Sequence, residues 1–152
     1  MVISDHTTKA FDIDLQELTR MVAEMGGLAE KQVADAVDAL ARRDTERAQR
    51  TVAADPDIDA LQAEIEEKAV LTIARRQPMA VDLREIVGAL RVSNDLERIG
   101  DLAKNIGKRV MALDGEFHPP KLIRGVDIWG PWFWPSSKRC STATRAMTSR
   151  RR

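Results

Sequence analysis

The segment from residue 86 to residue 113 constrains the fold of this chain more than any other feature. Its apolar residues recur at spacings of three and four: Ile86, Ala89, Val92, Leu96, Ile99, Ala103, Ile106, Val110 and Leu113. This period matches one face of an α-helix, so it predicts a long amphipathic helix with an apolar packing seam. We expect the helix to run from about Ala80 to Leu113, because Gly115 follows as a preferred helix terminator.

The opposite face of this predicted helix is acidic. Glu97 and Asp101 lie one turn apart, with Asn94 and Asn105 in line with them. Carboxylates at this spacing repel each other unless a lysine, an arginine or a metal ion lies between them. Two interpretations stay open on spacing alone: a metal-binding stripe, or a solvated face in which Glu97 pairs with a nearby Lys or Arg.

Two further helices are predicted upstream. The first, from about Asp12 to Arg42, follows from apolar residues at helical spacing: Leu15, Leu18, Val22, Met25, Ala29, Val33 and Leu40. Gly26 and Gly27 interrupt it at a cost of about 1 kcal/mol each, which is tolerated where a neighbouring helix must approach closely.

The second predicted helix follows a tight turn at residues 43–45, with Asp44 as its N-cap, and ends before Pro78. Pro56 interrupts it, so either one helix kinks there or a helix starts there with Asp55 as its cap. Three long helices with short connections predict an all-α, up-down-up three-helix bundle.

Composition agrees with a soluble helical bundle. Of the 152 residues, 32% are charged and 4% are aromatic, a profile that favours helices over sheets. No apolar run approaches the roughly 20 residues that span a bilayer, and no signal-peptide pattern begins the chain. The lone Cys140 gives no disulfide framework. We therefore expect a cytoplasmic protein that is peripheral to a membrane at most.

The charges divide the chain in two. Residues 1–120 hold 16 Lys and Arg against 23 Asp and Glu, a net charge of −7. Residues 121–152 hold 8 against 1, a net charge of +7. An acidic body is a poor nucleic-acid binder because the phosphate backbone repels it. We therefore expect no nucleic-acid partner.

Two strings in the chain resemble a known family. Residues 94–106 read NDLERIGDLAKNI, and residues 75–84 read RRQPMAVDLR. Together they closely resemble the PhoU family of phosphate-transport accessory and regulatory proteins, over about residues 12–126. The resemblance implies two tandem three-helix bundles whose Glu-x-x-x-Asp motifs hold metal ions, often as clusters. It also favours a kink at Pro56 within one continuous helix.

The resemblance implies a metal site on two helices. Asp55 and Asp59 form a second acidic pair, and the implied ligand set joins that pair to the stripe: Asp55, Asp59, Glu97, Asp101, Asn94 and Asn105. The four carboxylates would bind the metal, and the two amides would add oxygens or orient the carboxylates. Oxygen ligands suit hard cations such as Mg²⁺, Mn²⁺, Ca²⁺ or oxidised iron. Alternatively, Asp55 caps a kinked helix and binds no metal.

No catalytic constellation is present in the sequence. It lacks a Ser/His/Asp set, a Gly-x-x-x-x-Gly-Lys loop and the Glu-x-x-His pair of di-iron bundles, so we expect no enzyme. The resemblance implies a cytoplasmic adaptor that negatively regulates phosphate uptake. Its implied partners are the ATPase of the phosphate-specific ABC transporter and the sensor histidine kinase of the phosphate regulon. The alternatives are a metal-binding bundle with an enzymatic or storage role, and a purely structural helical protein.

A second apolar strip is predicted on the acidic face of the third helix. Leu83, Val87 and Leu90 share that face with Glu97 and Asp101, away from the seam. A strip of this kind usually marks an interface. We expect a second copy of the chain, or a second repeat, to cover it, and hence a homo-oligomer.

The C-terminal residues do not match the rest of the chain. All three tryptophans lie after residue 127, and Pro131 and Pro135 break any helical period. The resemblance implies a second helical repeat here, so a frameshift is the simplest hypothesis, with an evolved Trp-rich tail as the alternative. The expected organisation is an N-terminal tail (1–11), the bundle (12–114), a linker (115–126) and an irregular basic tail (127–152).

Overall fold

The computed structural model describes residues 3–113, with side chains described from Phe11 onward. This part of the chain forms four helices: α1 (Ile3–Arg42), α2 (Thr45–Ala53), α3 (Asp55–Arg76) and α4 (Ala80–Ala112). It contains no β-strand, so the all-α prediction is confirmed. The predicted linker and basic tail lie outside the described residues. Within residues 3–113, no helix is both long and apolar enough to cross a bilayer.

The helices follow the predicted up-down-up path. Near its start α1 contacts the end of α3, through Asp14 and Arg76, and further along it contacts α2, through Gln32 and Thr51. Because contacts move backwards along α3 and α2 as α1 advances, these two helices together run antiparallel to α1. They fill the place of the predicted second helix.

The local signals at the helix ends are confirmed. Asp44 caps α2, since its Oδ1 accepts a hydrogen bond from the Arg47 N–H at 2.8 Å. α3 ends at Arg76, and Gln77 closes it with a left-handed φ of 46° immediately before Pro78. α1 begins at Ile3, earlier than the Asp12 that its apolar period predicted.

The interruption near Pro56 is a break of one residue. α2 ends at Ala53 and α3 begins at Asp55, and Ala54 between them keeps right-handed helical backbone angles, with φ −83° and ψ −9°. Pro56 stands in the first turn of α3, where its missing N–H costs no intrahelical bond. Asp55 does not act as the cap; the N-cap is Ala54, which has no side chain to donate or accept. The Asp55 carboxylate turns into the bundle instead.

Two separate apolar cores hold the helices together. The first, here called the large-residue core, joins long side chains of α1, α3 and α4, its buried members being Leu15, Leu18, Met21, Val22, Met25, Ala29, Ile58, Ile65, Ala69 and Ile86. The second, the small-residue core, has Ala39, Ala48 and Val110 as its buried members. It lies at the other end of the bundle, where α1 ends and α2 begins.

The packing face of α4 matches the predicted seam in part. Ile86, Ala103 and Val110 of the seam are buried as predicted, whereas Val92 and Ile99 are 45% and 36% exposed and Leu113 is exposed as well. Ser93, Gly100 and Gly107, spaced seven apart, are also buried. Small residues on that line let neighbouring helices come closer there than along the larger apolar residues, so the helix turns this face inward.

Gly100 and Gly107 mark the closest approach of the helices. A methyl group added at Gly107 would lie 3.0 Å from the carbonyl oxygen of Ala48 in α2. One added at Gly100 would lie 3.0 Å from the Ile58 side chain. A methyl group added at Gly26 would lie 3.9 Å from Leu96 Cδ1 of α4, which is an ordinary contact, and at Gly27 nothing lies within 4 Å, so this pair does not require the close approach seen at Gly100 and Gly107.

The predicted apolar strip is partly covered. Leu83 is exposed, but Val87 is half-buried and Leu90 packs against the large-residue core. The apolar side chains that α4 exposes most are Val81 and Leu102. Val92 and Ile99 of the predicted seam are exposed together with Leu102, and we call these three side chains the exposed apolar flank of α4.

Candidate functional site

The predicted acidic residues meet where α3 begins and α4 crosses it. We use the name carboxylate cluster for Asp55 and Asp59 of α3 together with Glu97 and Asp101 of α4. The ammonium of Lys104 lies between its two halves, 2.5 Å from Asp55 Oδ2 and 2.5 Å from Asp101 Oδ1. The tertiary structure thus joins two acidic pairs that are about 40 residues apart in the chain.

Asp55 is the buried member of the cluster. Besides Lys104, its carboxylate faces Gln32 of α1, whose Nε2 donates to Thr51 O at 3.2 Å and lies 3.5 Å from Asp55 Oδ1. A buried carboxylate is stable when its charge is paired and its oxygens receive hydrogen bonds. Lys104 of α4 pairs with the charge of Asp55, and the side-chain amide of Gln32 of α1 donates a hydrogen bond to it.

The pKa values of Glu97 and Asp101 are shifted in opposite directions by their surroundings. Burial raises the pKa of Glu97, and the neighbouring carboxylates of Asp101 and Asp59 raise it further. The hydrogen bond from Lys104 lowers the pKa of Asp101. The charged form of Asp101 is therefore stabilised by Lys104, whereas burial and like charges favour the neutral form of Glu97.

Lys104 is held by both carboxylates. Its hydrogen bonds with Asp101 and then Asp55 raise its pKa above the ordinary value of 10.5. Its side chain is 23% exposed, so the ammonium sits at the edge of solvent rather than in the core. Pairing of Glu97 with a neighbouring lysine was one of the two interpretations of the sequence; in the structure Lys104 pairs with Asp101 and Asp55.

Asn94 and Asn105, the two predicted amide ligands, have surroundings that differ from those of the four carboxylates. Asn94 Oδ1 accepts a hydrogen bond from Gln62 Nε2 at 2.7 Å, which ties α4 to α3. Asn105 is exposed on α4. The predicted amide ligands are therefore a contact between helices and a surface residue in this arrangement.

The residues as placed do not form a complete metal site. Among the described residues, no group of three or more His, Cys, Asp or Glu side chains is positioned to hold a metal ion. The ammonium of Lys104 lies between two of the predicted ligands, Asp55 and Asp101, at 2.5 Å from each. The cluster thus has the oxygen chemistry of a hard-cation site, with an amino group at its centre.

Gln32 is the member of this site that sequence reasoning missed. It is buried, and its Oε1 has no hydrogen-bond partner in the described part of the chain. A signal was available, because Gln32 continues the apolar spacing of α1 between Ala29 and Ala36, where a polar residue is unexpected. Such a residue indicates a buried polar contact on another helix.

The comparisons with known proteins agree on one family. Residues 22–110 match the family model described as the PhoU domain. The chain is 52% identical over 122 residues to a phosphate-specific transport system accessory protein PhoU homolog of Rhizobium meliloti, and 51% identical over 128 residues to one of Caulobacter vibrioides. A protein of Edwardsiella tarda named phosphate-specific transport system accessory protein PhoU is 35% identical over 121 residues.

The matched regions cover most of this chain but half of its relatives. The match with the Rhizobium protein includes 80% of this chain and 52% of that protein. For the Caulobacter protein the shares are 84% of this chain and 56% of the relative, and for the Edwardsiella protein they are 80% of this chain and 50% of the relative. The chain therefore spans about half the length of the curated relatives it matches.

Proposed function

Because this chain belongs to the PhoU family, we propose that it is an accessory protein of phosphate transport that acts as a regulatory adaptor. In this proposal it restrains uptake through the phosphate-specific ABC transporter and holds the sensor kinase of the phosphate regulon inactive when phosphate is plentiful. It works from the cytoplasm, on the transporter ATPase and the kinase, and catalyses no reaction.

The observation that carries this proposal is the 52% identity to a relative named for the phosphate-specific transport system, over 80% of the chain. The exposed apolar flank of α4 adds a surface for partners, since Val92, Ile99 and Leu102 are the kind of side chains that an interface covers. We place pairing with a second copy of the chain on the same flank. Sedimentation of the parent and of Leu102→Glu tests that pairing.

Deletion of the gene tests the regulatory role. In phosphate-rich medium the deletion strain is expected to keep phosphate uptake and regulon expression active, whereas its parent represses both. Re-expression of the 152-residue chain, beside a full-length relative as the control, shows whether this chain is sufficient. Normal repression in the clean deletion would contradict the adaptor role.

We also propose that the carboxylate cluster takes up a hard cation such as Mn²⁺, Mg²⁺, Ca²⁺ or oxidised iron. Support comes from Glu97, whose pKa is raised by burial and by the neighbouring carboxylates of Asp101 and Asp59. Asp55 would be the ligand from the far side, and Asn94 and Asn105 would be accessory oxygens. Elemental analysis of the parent and of Glu97→Ala/Asp101→Ala tests this; equal metal content would remove the site.

A further inference from the structure

An acidic row follows the side of α3 that borders α4. Gln62 of α3 donates a hydrogen bond to Asn94 of α4 at 2.7 Å, so it marks that side. Asp59 lies three residues before Gln62 and Glu66 four residues after it, and both are exposed. Residues at these spacings share one side of a helix. The acidic row, defined as Asp59 and Glu66, therefore borders the groove between α3 and α4.

An arginine row follows α4 along the same groove. Arg91 lies three residues before Asn94 and Arg98 four residues after it, so both share the side of α4 that Asn94 occupies. Both arginines are exposed, and within the described part of the chain neither row forms an ion pair. Two unpaired rows of opposite sign on adjacent helices form a face that suits a surface with the reverse arrangement of charges.

The charges of the two rows are level with each other, because α3 and α4 are successive, antiparallel helices of the bundle. Counted from the hydrogen bond that joins the two helices, Glu66 and Arg91 lie at the same height to within one residue, about 1.5 Å. The same count in the other direction places Asp59 level with Arg98. The α3–α4 face therefore has two levels at which α3 carries a carboxylate and α4 a guanidinium.

A second copy of the chain has the reverse arrangement that this face requires. A two-fold axis parallel to the helices keeps every residue at its height and exchanges the places of α3 and α4. Each α3 then lies opposite α4 of the second copy, so that Glu66 meets Arg91 of the second copy and Asp59 meets Arg98 of the second copy. A two-fold axis across the helices would instead bring like charges together, which repulsion disfavours.

Apolar side chains extend the same face towards the start of α4. Val87 lies seven residues before Asn94 on this side of the helix, and Leu83 lies one turn further away. Leu83 is 38% exposed and Val87 is half-buried. Ile73 of α3 is half-buried and lies level with Leu83 by the same count. The axis parallel to the helices therefore places Leu83 opposite Ile73 of the second copy, where both can be covered.

From this register we infer that the chain forms a two-fold dimer through its α3–α4 face, with the acidic row of each copy against the arginine row of the other. This inference deepens the pairing of two copies proposed above and rests on it. It names the surface of the second copy that α4 meets. Leu102 of the exposed apolar flank lies one turn beyond Arg98 and extends the contact.

The test exchanges the charges at one level of the face. Glu66→Arg and Arg91→Glu each bring like charges together in the dimer, whereas an equimolar mixture of the two variants restores opposite charges between the chains. Asp59→Arg and Arg98→Glu repeat the exchange at the second level. Glu64→Arg is the matched control, because Glu64 is exposed on the other side of α3 and its substitution changes the net charge equally. Sedimentation velocity of the full 152-residue proteins over a series of concentrations measures self-association.

We expect the parent and Glu64→Arg to dimerise with similar affinity. Glu66→Arg alone and Arg91→Glu alone should each self-associate at least about tenfold more weakly, because two like-charge contacts replace two favourable ones. The mixture should recover dimers with an affinity near that of the parent, because each new charge then meets its opposite on the other variant.

A mixture that recovers no dimers would overturn the inference, since the charges would then act within one chain. Equal weakening by Glu64→Arg would also overturn it, because net charge alone would explain the effect. If Leu102→Glu abolishes dimers while the charge variants leave them intact, this face is wrong and the pairing proposed above still stands. A parent that stays monomeric contradicts both, while the adaptor role still depends on the deletion strain.

Discussion

The two ends of the bundle are stabilised in different ways. At the end that holds the large-residue core, long side chains such as Leu18, Met25 and Ile65 fill the space between helices. At the other end, alanines and Gly107 bring the helix backbones so close that even one methyl group has no room. The large-residue core therefore contributes stability mainly by burying apolar side chains. The small-residue core contributes it through the van der Waals contacts between closely spaced helices.

The carboxylate cluster lies between these two cores. Along α1, Gln32 follows Ala29 of the large-residue core and precedes Ala39 of the small-residue core. Along α3 and α4, Asp55 and Lys104 hold the same intermediate position. The ion pair of Lys104 with Asp55 is therefore placed between two apolar cores rather than inside either of them.

The largest expected effect tests the end of the bundle that holds the large-residue core. Ile65 is fully buried in α3, so Ile65→Ala should lower the free energy of unfolding by about 2–5 kcal/mol. Val70→Ala is the control, because Val70 lies on the same helix and is 62% exposed; its change should stay within about 0.5 kcal/mol. Chemical denaturation measures both. Equal losses would mean that α3 does not hold this core.

The next effect tests the end of the bundle that holds the small-residue core, where the helix backbones lie close together. Gly107→Ala should destabilise the protein by about 1–3 kcal/mol, because the new methyl group meets the backbone oxygen of Ala48 at 3.0 Å. Gly27→Ala is the matched change in open space, and it should stabilise by up to about 1 kcal/mol through helix propensity. If both substitutions stabilise the protein, the helices at the small-residue core leave room for a methyl group, and the proposed difference between the two cores is contradicted.

The smallest effect concerns an ion pair beside the large-residue core. Asp14 contacts Lys68 at 3.2 Å and Arg76 at 3.1 Å. Burial raises the pKa of Asp14, but the hydrogen bonds and charges of Lys68 and Arg76 outweigh it, so the pKa is lowered from 3.8. Asp14→Asn should therefore cost about 1 kcal/mol or less near neutral pH.

The pH dependence of that loss has a fixed sign. A carboxyl group with a lowered pKa in the folded state contributes stability above its unfolded pKa and loses it as the pH falls through the folded value. The difference between the parent and Asp14→Asn should thus be full near pH 6, begin to fall as the pH approaches 3.8, and vanish only below the lowered pKa of the folded state. Thermal melts across that range measure it, and a difference independent of pH would assign the loss to packing.

Most of the element boundaries could be predicted because their causes are local. The cap at Asp44, the stop before Pro78 and the period of α4 each depend on residues within a few positions of one another. The same holds for the carboxylate pair at Glu97 and Asp101, whose spacing places both on one face of a helix. At Pro56, two local interpretations were compatible with the sequence, and the residues near the proline do not by themselves decide between them.

The sequence by itself determined that this chain forms long amphipathic helices in an up-down-up bundle, and which family it belongs to. The tertiary structure decided how α4 is rotated, so that Ser93 and Gly107 face inward while Val92 faces out. It also decided that Lys104 pairs with Asp55. The periodicity of one helix fixes the width of its apolar stripe, but which edge of that stripe is buried depends on how closely the other helices approach.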